Sequence, residues 1–456
     1  MNLLEGKTLS EIARMDFTCE CGMRHYTGIE DIVIEKGAKS RLVPIVKKHL
    51  GETGHILVSM DDNTKRVAGD EVVSMLTDAG YQVKVHCFAG EPELVCCKEG
   101  FEELLSEVEA ETELLIAVGS GTLNDTTKYV AYKKDLPFFI FATAPSMDGY
   151  ASTVAPMIWE GLKYAFPAIG PAAIIADIDI IKTAPMRMRA AGFGDIVGKC
   201  ISILDWKLSN IILGEEYCQM VADNVLIAMK RCSENVEGLV NGDDEALQNV
   251  MEALVLCGLM MNYVKTSRPA SGSEHNFSHA VELMQLFHGQ PMSMHGESVG
   301  VGSVVSSVLY RKFRNETFDY EDSAARVNKR SRSKWDETIK ALPVAGTADM
   351  LKMEDELGKN LPGNCLEHLK TAMEHLDEIM EAVDVYAPKP EIIEGELRAC
   401  NAMSTPGELG ISKEDFQNAV LYAKDMRYRY SLLQLIWDMG KEQEYLDEVT
   451  RYFYPE

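Results

Sequence analysis

Ser271-Gly272-Ser273-Glu274-His275-Asn276-Phe277-Ser278-His279 places two histidines four residues apart, and His295-Gly296-Glu297 follows shortly after. On a helix, that spacing turns both rings to one face. Gly192-Phe193-Gly194-Asp195 adds a carboxylate at the start of another helical stretch. One carboxylate and two imidazoles, with a coordination position left open, suit a catalytic zinc or a similar divalent ion. The bland alternatives are a histidine satisfied inside a helical core and an Asp195 that caps its own helix. Only ten histidines occur in 456 residues, and their clustering over 275–295 favours the metal. Cys19-Glu20-Cys21-Gly22 with His25 looks like half of a zinc knuckle; no second half lies nearby, and it is read as structural.

A second chemistry is written in Gly119-Ser120-Gly121-Thr122-Leu123-Asn124-Asp125, between a strand-like and a helix-like segment. Glycine lets the backbone approach a pyrophosphate, and the next helix offers free N–H groups and the positive end of its dipole. The third glycine of the usual dinucleotide fingerprint is absent, with Asn124 in its place; a tight turn without a ligand is the plain alternative. Asp61 closes an earlier strand, where a carboxylate accepts hydrogen bonds from an adenosine ribose and repels a 2′-phosphate, or else caps the turn before Asn63-Thr64. Phe141-Ala142-Thr143-Ala144-Pro145-Ser146 puts small polar side chains at the end of the following strand, the edge where open α/β sheets collect ligands.

These residues need elements to hold them. Short apolar runs at 32–34, 56–60, 82–88, 114–118 and 138–141 alternate with helical patterns over 38–50, 62–79, 92–108 and 122–133. That alternation predicts βαβ units and a mostly parallel sheet. Beyond 183 the spacing turns helical, over 196–213, 217–240, 244–265, 275–287, 297–313, 365–385 and 413–439. We therefore expect an α/β nucleotide-binding domain over 1–185 and an all-α metal and substrate domain over 186–456. The stretch 314–362 is charged and irregular, with five basic residues between Arg326 and Lys334, and the tail from 441 has no assignment.

Composition narrows the partners. Lys plus Arg number 45 against 71 Asp plus Glu, a formal charge of −26, which disfavours nucleic acid and anionic membranes. The chain shows neither a signal-peptide pattern nor an apolar run of membrane-spanning length, so no membrane span is expected. Eleven scattered cysteines fit reduced thiols, and a cytoplasmic location is expected. Apolar stripes on the helical half make a homo-oligomer, at least a dimer, plausible.

Gly119-Ser120-Gly121-Thr122-Leu123-Asn124-Asp125-Thr126-Thr127-Lys128 and Thr143-Ala144-Pro145-Ser146-Met147-Asp148-Gly149-Tyr150-Ala151-Ser152, with the Asp195 and histidine motifs, resemble bacterial and archaeal sn-glycerol-1-phosphate dehydrogenases. The likeness runs in order over about 30–310, with an echo at Arg427-Tyr428-Arg429-Tyr430-Ser431. It implies a dehydroquinate synthase-like fold, an α/β nucleotide domain followed by a helical metal domain. Asp195, His275 and His295 would hold the metal, zinc or nickel; Asp148 and His279 would face the substrate. Gly119, Ser120, Gly121, Thr122, Asn124, Asp125, Thr143, Ser146 and Ser152 would line NAD or NADP, and Asp61 would meet its ribose. This chain departs in being longer, and in beginning its turn Gly-Ser-Gly where many relatives have three glycines.

The implied reaction interconverts dihydroxyacetone phosphate and sn-glycerol 1-phosphate by metal-assisted hydride transfer. Lys199 and Arg268 lie near the motifs and are candidates for the substrate phosphate. The alternatives are another polyol dehydrogenase or a dehydroquinate synthase-type NAD-dependent cyclase. A non-catalytic binding protein of the same fold ranks last, because all three implied ligands are present.

Overall fold

The structure, a computed structural model, describes residues 2–90, 94–160 and 162–455. The chain forms two compact units, one of Met1–Ile196 with Gln219–Ser267 and one of Val197–Cys218 with Arg268–Glu456.

The first unit opens with a small antiparallel hairpin, β1 (Phe17–Thr18) and β2 (Arg24–His25). Its main sheet comprises β3 (Asp31–Glu35), β4 (His55–Asp61), β5 (Gln82–Phe88), β6 (Leu114–Gly119), β7 (Phe138–Ala142) and β10 (Ala173–Asp177). Between β7 and β10 the chain forms a separate antiparallel hairpin, β8 (Val154–Trp159) and β9 (Leu162–Pro167), which the sequence pattern did not signal. The main sheet runs β3-β10-β7-β6-β4-β5, every pair parallel. Residues of β6, β7 and β10 are all buried, which explains why they read as unbroken apolar runs. Helices α1 (Leu42–Leu50), α2 (Asp70–Asp78), α3 (Lys98–Ser106) and α4 (Gly121–Lys134) alternate with these strands as expected. The expected start of the third helix, at Pro92, lies outside the described residues.

Strand order reverses at β6. From β4 the chain steps outward to β5, returns to β6 on the other side of β4, then proceeds to β7 and β10. The C-terminal ends of β4 and β6 thus flank the switch point where open α/β sheets form a ligand crevice.

Helices α5 (Met186–Val197), α7 (Gln219–Glu234) and α8 (Asp244–Val264) also begin in or belong to this unit. A single cut at 185/186 therefore does not follow the packing. Residues 219–267 are helical as expected but lie with the sheet, because Gly258 lets α8 press on the turn at Asp148–Ala151. A Cβ on Gly258 would stand 2.9 Å from the Ala151 amide nitrogen. By length and composition α8 could cross a membrane, yet 78% of its most apolar window is buried within the protein.

The second unit is helical: α6 (Lys199–Leu213), α9 (Ser273–Phe287) and α10 (His295–Arg314), followed by α11 (Tyr320–Val327), α12 (Arg332–Ala341) and α13 (Thr347–Leu357). Thus 314–362 is ordered helix rather than irregular chain. Three of the five basic residues in its run form ion pairs: Arg326 with Glu444 and Asp322, Arg330 with Glu442, Arg332 with Asp336 and Asp355. Helices α14 (Pro362–Glu374), α15 (Leu376–Tyr386), α16 (Pro390–Ala399), α17 (Lys413–Tyr422), α18 (Leu432–Asp438) and α19 (Glu442–Phe453) complete it. The unassigned tail is α19, which buries Tyr445, Leu446 and Val449.

Candidate functional site

The sheet unit presents backbone. β6 ends at Gly119, and α4 starts two residues later with Ser120 as its N-cap. Ser120 makes no capping hydrogen bond, so the first amides of α4 keep their capacity for an anion. Ser120, Gly121 and Thr122 are half-buried, whereas Leu123 to Ala131 are buried. A Cβ on Gly119 would fall 2.3 Å from Leu123 Cδ1, so the turn closes only around glycine. Beneath it, Asp125 Oδ1 accepts from Asn124 Nδ2 at 2.8 Å and from Lys128 Nζ at 2.9 Å. Burial pushes the Asp125 carboxyl up, against the pull of Lys128. Lys128, wholly buried, also donates to Gly149 O, Ser152 Oγ and Val154 O. Asp125 and Ser152 therefore brace the turn from below.

Asp61, at the end of β4, caps the next turn: its Oδ1 accepts from Asn63 N at 2.9 Å and Thr64 N at 2.7 Å. Thr143 N donates to Gly119 O at 3.0 Å and continues the pairing of β7 with β6 past the strand ends. The loop after β7 is held against α5 by a glycine: a Cβ on Gly192 would sit 1.8 Å from Pro145 O. That approach lets Asp148 N donate to Asp195 Oδ2 at 2.9 Å. Asp195 is fully buried on α5, and Asp148 Oδ2 accepts from Cys257 Sγ at 3.6 Å.

The helical unit presents side chains. α9 and α10 cross closely because α10 carries Gly302, where a Cβ would lie 2.4 Å from Glu274 O. His275 and His295 have ring centroids 5.0 Å apart, with His279 at 6.3 Å and 5.8 Å from them. Each of the first two is oriented by a carboxylate. His275 Nδ1 lies 2.7 Å from Glu274 Oε1, which also accepts the Gly272 amide. His295 Nδ1 lies 3.0 Å from Glu282 Oε1, which accepts the Ser278 and Ser298 hydroxyls as well. Nδ1 is then the protonated nitrogen of each ring, and each Nε2 keeps its lone pair, the arrangement that metal-binding histidines adopt. Burial, with Asp205 nearby, pushes the Glu274 carboxyl up to about 8. Asp205 is the anchor of α9: Oδ2 accepts Ser273 N at 2.6 Å in place of a local cap, and Oδ1 accepts Tyr310 OH and Leu432 N.

Residues 33–185 match the family described as iron-containing alcohol dehydrogenase. A Bacillus subtilis protein called glycerol-1-phosphate dehydrogenase, NAD(P)+, is 30% identical over 90% of this chain and 91% of its own length. The chain belongs to the glycerol-1-phosphate dehydrogenase family. The Bacillus velezensis protein of the same name is 36% identical over 67% of this chain and 78% of its own. Among solved structures, a probable glycerol dehydrogenase from Sinorhizobium meliloti superposes with a TM-score of 0.61 at 15% identity. It spans 93% of this chain and 98% of that one, and the likeness shows the fold.

For this glycerol-1-phosphate dehydrogenase family member, the structure brings His275, His279 and His295 together in one unit, and Gly119 to Thr122 with Thr143 in the other. Lys199 and Arg268 are spent on structure. Lys199 is fully buried and donates to Ala270 O; Arg268 is held by Glu215 at 2.5 Å, by Ser209 and by Tyr430 O. Arg427 differs. It is half-buried, it donates to Ser271 Oγ at 2.8 Å, and no carboxylate lies within ion-pair distance among the described residues. Burial and the neighbouring Arg429 guanidinium both work against its charge, while Glu274 and Glu282 favour it. Glu274, Glu282, Asp205 and Arg427 were missed from sequence. The first two carry a signal, since they share α9 with the histidines; Arg427 carries one only in the family echo at 427–431, and Asp205, from a distant segment, carries none.

Proposed function

We propose that the chain interconverts dihydroxyacetone phosphate and sn-glycerol 1-phosphate with NADH or NADPH and one divalent ion, zinc or nickel. The observation that carries this reading is the pair of imidazoles at His275 and His295, each held through Nδ1 by a buried carboxylate. That donor chemistry fits a divalent cation, and Asp195 would complete the set. When bound, the cation would supply Lewis acidity at the substrate carbonyl, and the nicotinamide would supply hydride.

The chain's own groups do the rest. The uncapped start of α4 and the glycine turn would take the cofactor's pyrophosphate through main-chain N–H groups. Asp61 would hold the ribose through its second oxygen while the first keeps the cap. Asp148 would orient a substrate hydroxyl and, through its amide, fixes Asp195. His279 is half-buried and would relay the proton between substrate and solvent. Arg427 would bind the phosphate, an anion that offsets the repulsion between Arg427 and Arg429. None of the eleven cysteines forms a disulfide, which suits a reducing cytoplasm.

The test is reduction of dihydroxyacetone phosphate against dihydroxyacetone with NADH and NADPH, and oxidation of glycerol with NAD+ and NADP+, on protein of measured metal content. The expected result is net NAD(P)H oxidation with the phosphorylated substrate only. Activity on glycerol alone, or no net cofactor oxidation with any substrate, would overturn it; the latter is the behaviour of a cyclase that restores its NAD in each cycle.

A further inference from the structure

Outside that site, the sheet unit contains a second set of soft metal donors. β1 and β2 form a hairpin whose turn, 19–23, is a knuckle. Cys19 N donates to Met23 O at 3.0 Å, Gly22 N donates to Cys19 O at 2.9 Å, and Gly22 takes φ +85°, which a side chain would resist. The tightness of the turn brings ligand atoms of Cys19, Cys21 and His25 within 4.8 Å of one another.

His25 is wholly buried, its ring 5.4 Å from Phe17 and 5.3 Å from Tyr263 by centroid. Its Nδ1 lies 3.2 Å from Tyr263 O, and a carbonyl only accepts, so Nδ1 carries the proton. Its Nε2 lies 3.6 Å from Cys21 Sγ. A tetrahedral zinc with Zn–S about 2.3 Å and Zn–N about 2.0–2.1 Å holds its sulfur and nitrogen ligands about 3.6 Å apart. A thiol donating to the imidazole would involve one cysteine, whereas ligand atoms of both converge on the ring.

We infer that Cys19, Cys21 and His25 bind a structural zinc ion, with Cys218 as fourth ligand. Cys218 is fully buried and stands one residue before α7, where the chain re-enters this unit at Gln219. The start of the unit is tied to the same helix, since Leu3 N donates to Asn224 Oδ1 at 2.7 Å. Three thiolates and one imidazole close the coordination sphere with no open position, so the ion is structural rather than catalytic. It would pin the N-terminal knuckle to α8, through Tyr263, and to the head of α7. Burial pushes neither the choice of metal nor the geometry here; the donor set does, because thiolates select zinc over harder ions.

The test is metal analysis of the full-length protein, wild type beside Cys21→Ser, Cys218→Ser and His295→Ala. Two ions per chain are expected in the wild type. His295→Ala should lose one and keep one zinc, while Cys21→Ser should lose the other. Replacing the zinc with cobalt in folded wild-type protein supplies a readout independent of variant folding: an intense thiolate-to-cobalt charge-transfer band is expected, surviving in His295→Ala. A single ion per chain that disappears in His295→Ala, or cobalt-loaded protein with no thiolate band, would overturn the site. An undiminished zinc content and thiolate band in Cys218→Ser would overturn the fourth ligand.

Discussion

The sheet unit and the helical unit prepare for ligands in opposite ways. At the ends of β4, β6 and β7 the available groups are main-chain amides and carbonyls, and the residues that matter are those with no side chain, Gly119, Gly121 and Gly192. Between α9 and α10 the available groups are imidazoles, each aimed by a buried carboxylate. A backbone site is insensitive to most side-chain changes and vulnerable to a single added Cβ. A side-chain site fails with its ligands and weakens with the residues that aim them.

The largest expected effect is at the first of the aimed side chains. His295→Ala should remove the active-site ion and lower turnover by on the order of 10²–10³, the usual cost of losing charge stabilisation in a transition state. Metal analysis and kcat measured on the same preparation check it, and near-normal turnover without that ion would break the contrast. Glu282→Gln keeps the shape but replaces the acceptor that fixes His295, so metal affinity should fall about 10–100-fold. Competition with a chelator reads that directly, and unchanged affinity would mean that the ring needs no aiming.

Arg427→Met should raise KM for dihydroxyacetone phosphate by about 10–100-fold, from the loss of a charged hydrogen bond worth about 1.5–3 kcal/mol. kcat should change much less, and Arg427→Lys should recover part of the loss. An equal fall in activity towards unphosphorylated dihydroxyacetone would show that Arg427 only supports the fold.

On the backbone side, Gly192→Ala forces either α5 or the loop at Pro145 to move, since 1.8 Å is far inside contact distance. Overpacking of this kind costs about 1–3 kcal/mol, and a loop held by it carries Asp148 with it. Lower thermal stability together with reduced kcat is expected. Gly121→Ala should be milder for folding, because its Cβ would meet the flexible Met147 side chain at 3.0 Å.

Legibility in the sequence follows the same division. The parallel strands could be read because burial on both faces makes them apolar runs, and the histidines because a four-residue spacing shares a helix face. The glycine turn was visible, but not that Asp125 and Ser152 would be drawn into the Lys128 network below it. What could not be read depends on contacts between distant segments: Asp205 capping α9 from α6, Arg427 beside Ser271, and helices 219–267 packing with the sheet. The stretch 314–362 looked irregular because its helices are short and mostly exposed, so charge hid their apolar spacing.

The smallest effect tests whether the cofactor turns of the sheet unit have one side chain that counts. Asp61 is both the cap of its turn and the candidate partner of the adenosine ribose, and Asn caps as well as Asp does. Asp61→Asn should therefore leave thermal stability within about 0.5 kcal/mol, the scatter of ordinary surface changes. It removes the negative charge that would repel a 2′-phosphate, so the ratio of kcat/KM for NADH over NADPH should fall several-fold. The ratio matters more than either rate, because a general disturbance of the turn would lower both cofactors alike. A fall in stability with an unchanged ratio would make Asp61 a cap and nothing more, and cofactor choice would then lie with the main chain.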